Sequence, residues 1–351
     1  MTRPLVDGSA TPLAGRHDVA LLDLDGVLYV GPDAVPGAAD ALRRAVALGL
    51  RPAFVTNNAS RTPERVAEHL GELGIPAAPG DVVTSAQAAA RLVASRVRPA
   101  AKVLVVGGEG LVAALRERGL EPVDAFADDV SAVVQGFAPD VGWRALAEGS
   151  YAVTAGRPWV VSNLDATVPT PRGMAPGNGQ LVGVVRATTG RDPDAVAGKP
   201  ELPLHEEAVR RTGARRPLVV GDRLDTDIEG AVRAGTPSLL VLTGVSGPAD
   251  LLGAPPARRP TYLAGGLADG LLEEHPPVRR DGAAWTCRDA RVERDGDRVR
   301  STGAGGLDAL RALAALWWAG GTPERSDAAR TVLESIGLES TGWAARASTG
   351  A

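Results

Sequence analysis

Two carboxylates one residue apart, Asp23 and Asp25, follow the apolar run Val19-Ala20-Leu21-Leu22. A short apolar run of this kind predicts a buried strand, with the acids at its carboxyl end. Gly26 lets the chain bend there, so that both acids can swing towards one point. In an open α/β sheet the carboxyl ends of the strands are where ligands bind. A pair of carboxylates at that edge can hold a hard cation such as Mg²⁺. One of them can also act as a nucleophile, because a carboxylate can take up a phosphoryl group covalently. The same residues fit an ordinary strand end with an Asp-Gly turn, so the rest of the chain has to decide.

Three further predicted strand or segment ends carry polar residues. Pro52-Ala53-Phe54-Val55 ends on Thr56-Asn57-Asn58. Ala195 to Gly198 leads to Lys199-Pro200. Pro217 to Val220 ends on Gly221-Asp222-Arg223-Leu224-Asp225-Thr226-Asp227. Read singly, Thr56-Asn57 also fits a helix cap and Lys199 a surface lysine. Three acids in six residues repel unless a cation or solvent intervenes, which makes the Asp222–Asp227 stretch harder to dismiss. Strand–helix alternation around these ends predicts a parallel sheet that gathers all four at one edge. A hydroxyl, backbone amides, an ammonium group and a metal would there oppose the charge of a phosphate.

Asp-Leu-Asp-Gly-Val (23–27), Thr-Asn-Asn (56–58), Gly-Lys-Pro (198–200) and Gly-Asp-Arg-Leu-Asp-Thr-Asp-Ile (221–228) resemble the four motifs of the haloacid dehalogenase-like hydrolases. The long insert between the second and third motifs resembles the NagD-like branch, which includes phosphoglycolate and pyridoxal-phosphate phosphatases. That resemblance covers roughly residues 19–272. It implies an α/β fold, a doubly wound parallel-sheet Rossmann-like core with an inserted α/β cap domain and a small α+β C-terminal extension. It also implies Asp23 as nucleophile and Asp25 as general acid and base. Mg²⁺ would be held by Asp23, the Asp25 backbone carbonyl and Asp222. Thr56 and Asn57 would bind phosphoryl oxygens, and Lys199 would neutralise the phosphate and Asp23. Asp227 would support Lys199 or metal-bound water, and Asp225 would cap the next helix. The second acid favours phosphoryl chemistry over dehalogenation, because dehalogenases of this superfamily lack it.

The expected boundaries are 16–84 and 180–272 for the core, 85–179 for the cap and 278–351 for the extension. From Ser85 strands and helices start afresh, and a Pro/Gly-rich loop (169–179) precedes a helix over 180–189. Asn163, Asp165 and the loop Arg172 to Asn178 are candidates to face the substrate, although Asn163-Leu164-Asp165 fits a structural turn equally well. A closed cap favours small phosphomonoesters and excludes water. In the extension, Trp285–Arg294 and Arg298–Thr302 predict a hairpin across Asp295-Gly296-Asp297, followed by helices over 307–319 and 327–336. Trp285, Trp317 and Trp318 are expected to pack this unit or dock it on the core. Core plus tail are similar to actinobacterial glycerol-3-phosphate phosphatases, which puts glycerol 3-phosphate first among substrates, ahead of phosphoglycolate and pyridoxal phosphate.

Rival readings carry less of the chain. Val105-Val106-Gly107-Gly108-Glu109-Gly110 lacks the spacing of a dinucleotide loop, Gly198-Lys199 has no glycine five positions earlier, and Val209 stands where a zinc helix begun by His205 needs a second histidine. A receiver-like module that merely accepts a phosphoryl group uses similar carboxylates, but an inserted domain reads as a lid. Composition bounds the rest: 351 residues call for two or three domains. A net charge of −4 argues against a nucleic-acid surface. The single cysteine, Cys287, excludes an internal disulfide. No apolar run has signal-peptide or membrane-spanning length, so a cytoplasmic protein without membrane insertion is expected. Its partner is a small phosphomonoester, with a homo-oligomer through the cap left open.

Overall fold

The computed structural model describes residues 4–170, 172–295, 298–320 and 326–335. The chain divides into two compact units, Met1–Pro52 with Ala214–Ala351, and Ala53–Gly213.

The first unit holds four parallel strands in the order Tyr262–Ala264, Ser238–Val241, Pro217–Gly221, Val19–Leu22. Val19–Leu22 is buried throughout, as a strand covered on both faces must be, which explains its unbroken apolar run. The two covers can be told apart by side-chain alternation. A Cβ on Gly270 would lie 2.7 Å from the Leu239 side chain, so the Leu267–Leu272 helix packs on that face. Leu240 and Leu242 instead join one apolar core with Leu251, Leu252, Ala290, Val292, Leu310, Leu313 and Trp317. Helices on both faces of a parallel sheet make this the doubly wound α/β arrangement expected.

The C-terminal region therefore shares the core of the sheet it follows. Four antiparallel strands, Arg279–Asp281, Ala284–Cys287, Ala290–Asp295 and Arg298–Thr302, pair in sequential order. The Gly306–Ala319 helix lies against them. Trp318 Nε1 donates to Leu251 O at 3.1 Å, and the Arg259 guanidinium sits 4.9 Å from its ring. Trp317 is buried, and Trp285 packs against the same cluster. The expected single strand over 285–294 is broken by a turn, where Arg288 takes φ +48° without a glycine to announce it. The expected turn residues Gly296 and Asp297, and the end of the last helix at Ile336, lie outside the described residues.

The second unit carries the parallel pairing of Phe54–Thr56, the end of the strand Arg51–Thr56, with Val82–Thr84. Its other sheet is parallel throughout, in the order Ala195–Val196, Trp159–Val161, Val130–Gln135, Lys102–Val106, Glu121–Val123. The Ser85–Ala94 helix packs on both Val130–Gln135 and Trp159–Val161. Its start is a capping box, with Thr84 Oγ1 accepting from Gln87 N and Gln87 Oε1 accepting from Thr84 N. Several elements here escaped the sequence reading, the Val82–Thr84 strand among them. Glu121–Val123 is a short edge strand interrupted by Pro122. Thr167–Thr170 and Gly173–Pro176 form an antiparallel hairpin where a loop was expected. No helix among the described residues is long and apolar enough to cross a membrane.

Candidate active site

The parallel register Leu22–Val220 ends two neighbouring strands level with each other, and the Asp23 N–H continues the ladder to Val220 O at 2.9 Å. Asp23 and Asp222 therefore leave the sheet side by side. Asp227 follows in the irregular helical turn Leu224–Ile228. Asp23, Asp222 and Asp227 each place a carboxylate oxygen within 4.8 Å of the others. Asp23 is half-buried, whereas Asp222 and Asp227 are 1% and 2% exposed.

The chain makes room for these acids by omitting side chains. A Cβ on Gly244 would lie 1.9 Å from Asp222 Oδ2, and one on Gly26, held at φ +80°, would lie 2.3 Å from the same atom. A Cβ on Gly221 would strike Asp227 at 2.2 Å. Backbone donors then fix the carboxylates: Val245 N–H to Asp222 Oδ2 at 2.7 Å, and Arg223 N–H to Asp227 Oδ2 at 3.1 Å. The loop after Ser238–Val241 braces the site further, with Ser246 N–H on Asp222 O and Thr243 Oγ1 donating to Gly26 O. Sequence reading gave no role to Thr243–Ser246. Its one signal was a glycine just past a buried strand's carboxyl end.

Three oxygen donors this close, two of them withdrawn from water, suit a hard divalent cation and repel one another without it. The donor set thus fits Mg²⁺, with Asp227 in the carboxylate group itself. The Asp25 carboxylate is not part of that group. It is exposed, on the turn where Gly26 N–H donates to Tyr29 O at 2.8 Å. Asp225 does not cap a helix: Arg223 grips its carboxylate at 3.0 and 2.8 Å. The guanidinium outweighs the burial that would raise the Asp225 pKa and holds it below the usual value. For Asp225, one of the three acids between residues 222 and 227, the neutralising cation is its own neighbour Arg223.

In the second unit, Thr56, Asn57 and Lys199 come together. Lys199 Nζ donates to Val55 O at 3.3 Å, and Lys199 N–H donates to Asn57 Oδ1 at 2.8 Å. Thr56 is buried, its hydroxyl accepting from Asn58 N–H at 3.0 Å. The cap of the next helix is Thr62, whose hydroxyl accepts from Arg65 N–H, so Thr56 is not that cap. Asp165 joins the group through Asn57. Asn163 is buried, with Nδ2 donating to Asn57 O at 2.7 Å and Oδ1 accepting from Asp165 N–H at 3.1 Å. Both ends of that side chain are thus spent inside the protein. Arg172 is exposed, on the turn of the hairpin over residues 167–176.

Residues 20–121 match the family model described as haloacid dehalogenase-like hydrolase, and residues 196–270 a second model described as HAD-hydrolase-like. The chain is 51% identical to the D-glycerol 3-phosphate phosphatase of Mycobacterium tuberculosis over 251 residues, 72% of this chain and 70% of that protein. It belongs to the haloacid dehalogenase-like hydrolases. An acid sugar phosphatase of Staphylococcus aureus is 38% identical across 66% of this chain and 88% of its own length. Among solved structures, the glycerol phosphate phosphatase of M. tuberculosis in complex with calcium superposes with a TM-score of 0.83 at 43% identity. That match covers 95% of this chain and 100% of the other. The same phosphatase in complex with magnesium gives the same score. The likeness extends through the C-terminal region, beyond the part that carries the hydrolase motifs.

Proposed function

We propose that the chain is a Mg²⁺-dependent phosphomonoesterase that works through an aspartyl-phosphate on Asp23, with glycerol 3-phosphate as its first substrate. The observation that carries this reading is the Asp23, Asp222 and Asp227 carboxylate group. The relatives named for glycerol phosphate chemistry support the substrate.

Asp23, the Asp25 carbonyl and Asp222 would hold the metal, and Asp227 would support it or Lys199. When bound, Mg²⁺ offsets the negative charge that carboxylates and phosphate bring together. Asp23 attacks phosphorus, and the P–O bond to the alcohol breaks as Asp25 gives its proton to the departing alkoxide. Asp25, now a carboxylate, takes a proton from the water that attacks the aspartyl-phosphate. This second step frees phosphate and restores Asp23. Thr56, the Asn57 main chain and Lys199 bind the phosphoryl oxygens, and Lys199 also neutralises Asp23.

Residues 85–179 are the cap domain, 16–84 and 180–272 the hydrolase core, and 278–351 the extension. Exposed Trp143 and Tyr151, on one helix of the cap, are the surface through which copies would associate. A cytoplasmic setting suits a chain whose one thiol is buried and unpaired.

Phosphate release from glycerol 3-phosphate, 2-phosphoglycolate and pyridoxal 5-phosphate, at one Mg²⁺ concentration and in chelator, tests the proposal. Metal-dependent release with the highest kcat/KM on glycerol 3-phosphate is expected. A tenfold preference for either competitor, about 1.4 kcal/mol of transition-state discrimination, overturns the substrate and leaves the phosphatase standing. Release unaffected by chelator overturns the metal.

A further inference from the structure

We propose that Asn57 and Asp165 are positioning residues for Lys199, so that Asp165 acts on the phosphoryl end of the substrate through them and not on the alcohol end by contact. The inference rests on the role given above to Lys199.

The Asn57 carboxamide clips both main-chain polar groups of Lys199. Its Oδ1 accepts from Lys199 N–H at 2.8 Å, and its Nδ2 donates to Lys199 O at 3.1 Å. Nδ2 also donates to both oxygens of Asp165, each at 3.2 Å. This network fixes which way the amide points. Turned over, Oδ1 would face the Asp165 carboxylate and a carbonyl, three acceptors with no proton among them. The acceptor oxygens of Asp165 therefore favour the orientation in which Asn57 can hold Lys199.

The surroundings are shaped for this clip. A Cβ on Gly198 would lie 2.5 Å from Asn57 Oδ1, so the residue before Lys199 has to lack one. Asn57 O is held in turn by Ser85 Oγ at 2.6 Å and Asn163 Nδ2 at 2.7 Å. Asp165 is anchored at its own N–H by Asn163 and at its carbonyl by Gly179 N–H at 2.9 Å. A Cβ on Gly177 would lie 2.3 Å from that carbonyl. Asp165 is thus set as a fixed part of the framework, unlike a side chain left to adapt to a substrate.

Every phosphomonoester shares the phosphoryl group, so the consequences are separable by substrate. Asp165→Ala should lower kcat/KM by about ten- to a hundredfold, the cost of a misplaced catalytic group. The factor should be the same for glycerol 3-phosphate and p-nitrophenyl phosphate. Asp165→Asn, which can still offer a carbonyl oxygen to Asn57 Nδ2, should recover most of that loss. Independently of turnover, hydrogen exchange of the Lys199 amide should quicken in Asp165→Ala and stay slow in Asp165→Asn. A loss confined to one ester, or Lys199 exchange unchanged in the alanine variant, overturns the inference. Wild-type protein inactive on both esters would overturn the phosphatase reading instead, and the exchange comparison would still decide the clip.

Discussion

The Val245 N–H donates to Oδ2 of Asp222 at 2.7 Å, and the glycine before it, Gly244, leaves a gap that this same oxygen fills. The tightest requirement at the acid cluster is thus for an absent side chain. Gly244→Ala must displace Asp222 or the loop. Metal affinity should fall about 10- to 100-fold, as when supporting groups of a metal site are disturbed. Gly183→Ala makes the contrast. It lies in the Asn178–Thr189 helix with nothing within 4 Å of the added Cβ. That change should leave turnover intact and stabilise the fold by about 0.5–1 kcal/mol. Mg²⁺ titration and thermal melting of the two variants check both statements, and unaltered Mg²⁺ affinity in Gly244→Ala would count against the cradle.

Three histidines are expected to set the acid limb of stability. Burial lowers the pKa of His17, His205 and His275 below the ordinary 6.5. The neutral form is therefore favoured in the folded state, while the unfolded chain takes up protons near pH 6.5. Stability is full above that pH and declines as pH falls through the folded-state values. Thermal midpoints measured from pH 7.5 down to 5.5 should decrease. A midpoint that is flat or rises over that window contradicts the assignment.

A buried carboxylate should prove indispensable to the second unit. The Glu207 side chain has no exposed surface, yet Arg118, Arg210 and Arg211 reach its Oε1 at 2.9, 2.5 and 2.7 Å. Burial raises its pKa, but the guanidiniums of Arg210 and Arg211 prevail and hold it low. Glu207→Ala would leave three partly exposed cations without their shared carboxylate and should cost about 1–3 kcal/mol. Denaturant unfolding measures that loss directly, and a change within error would show that the arginines find other partners.

The C-terminal region should report its own docking through Cys287. Burial is the main cause that pushes this thiol up to about 12, and it lies in the core shared with Leu313 and Leu240. At pH 8 the native protein should resist thiol reagents until it unfolds. Leu313→Ala, which opens a cavity in that core, should cost about 2–5 kcal/mol and speed labelling in proportion. Rapid labelling of the undisturbed native protein would contradict the packing.

The acid cluster was legible because its residues lie in short local motifs. Asp23 with Asp25, and Asp222 with Asp227, occur within a few residues of each other at the ends of apolar strands, and strand order does the rest. What escaped the sequence depends on distant partners or on unmarked backbone. Asn57 meets Asp165 and Lys199 across 108 and 142 residues, so the residue could be assigned to phosphate but its side chain not to the clip it forms. Asn163 resembled a substrate contact because an asparagine in a loop looks the same whether it faces a ligand or a neighbouring carbonyl. Proline in short strands concealed the Glu121–Val123 edge and the hairpin over residues 167–176. Arg288, in a left-handed conformation usually reserved for glycine, concealed a turn.

Phosphate release by wild-type protein and by Asp23→Asn, measured side by side on glycerol 3-phosphate with the same Mg²⁺, tests the central claim most directly. The substitution keeps the shape of the residue and removes its nucleophilic charge, so wild type should turn over while the variant releases nothing above the uncatalysed rate and melts at a similar temperature. Undiminished release from a folded Asp23→Asn protein would contradict the account.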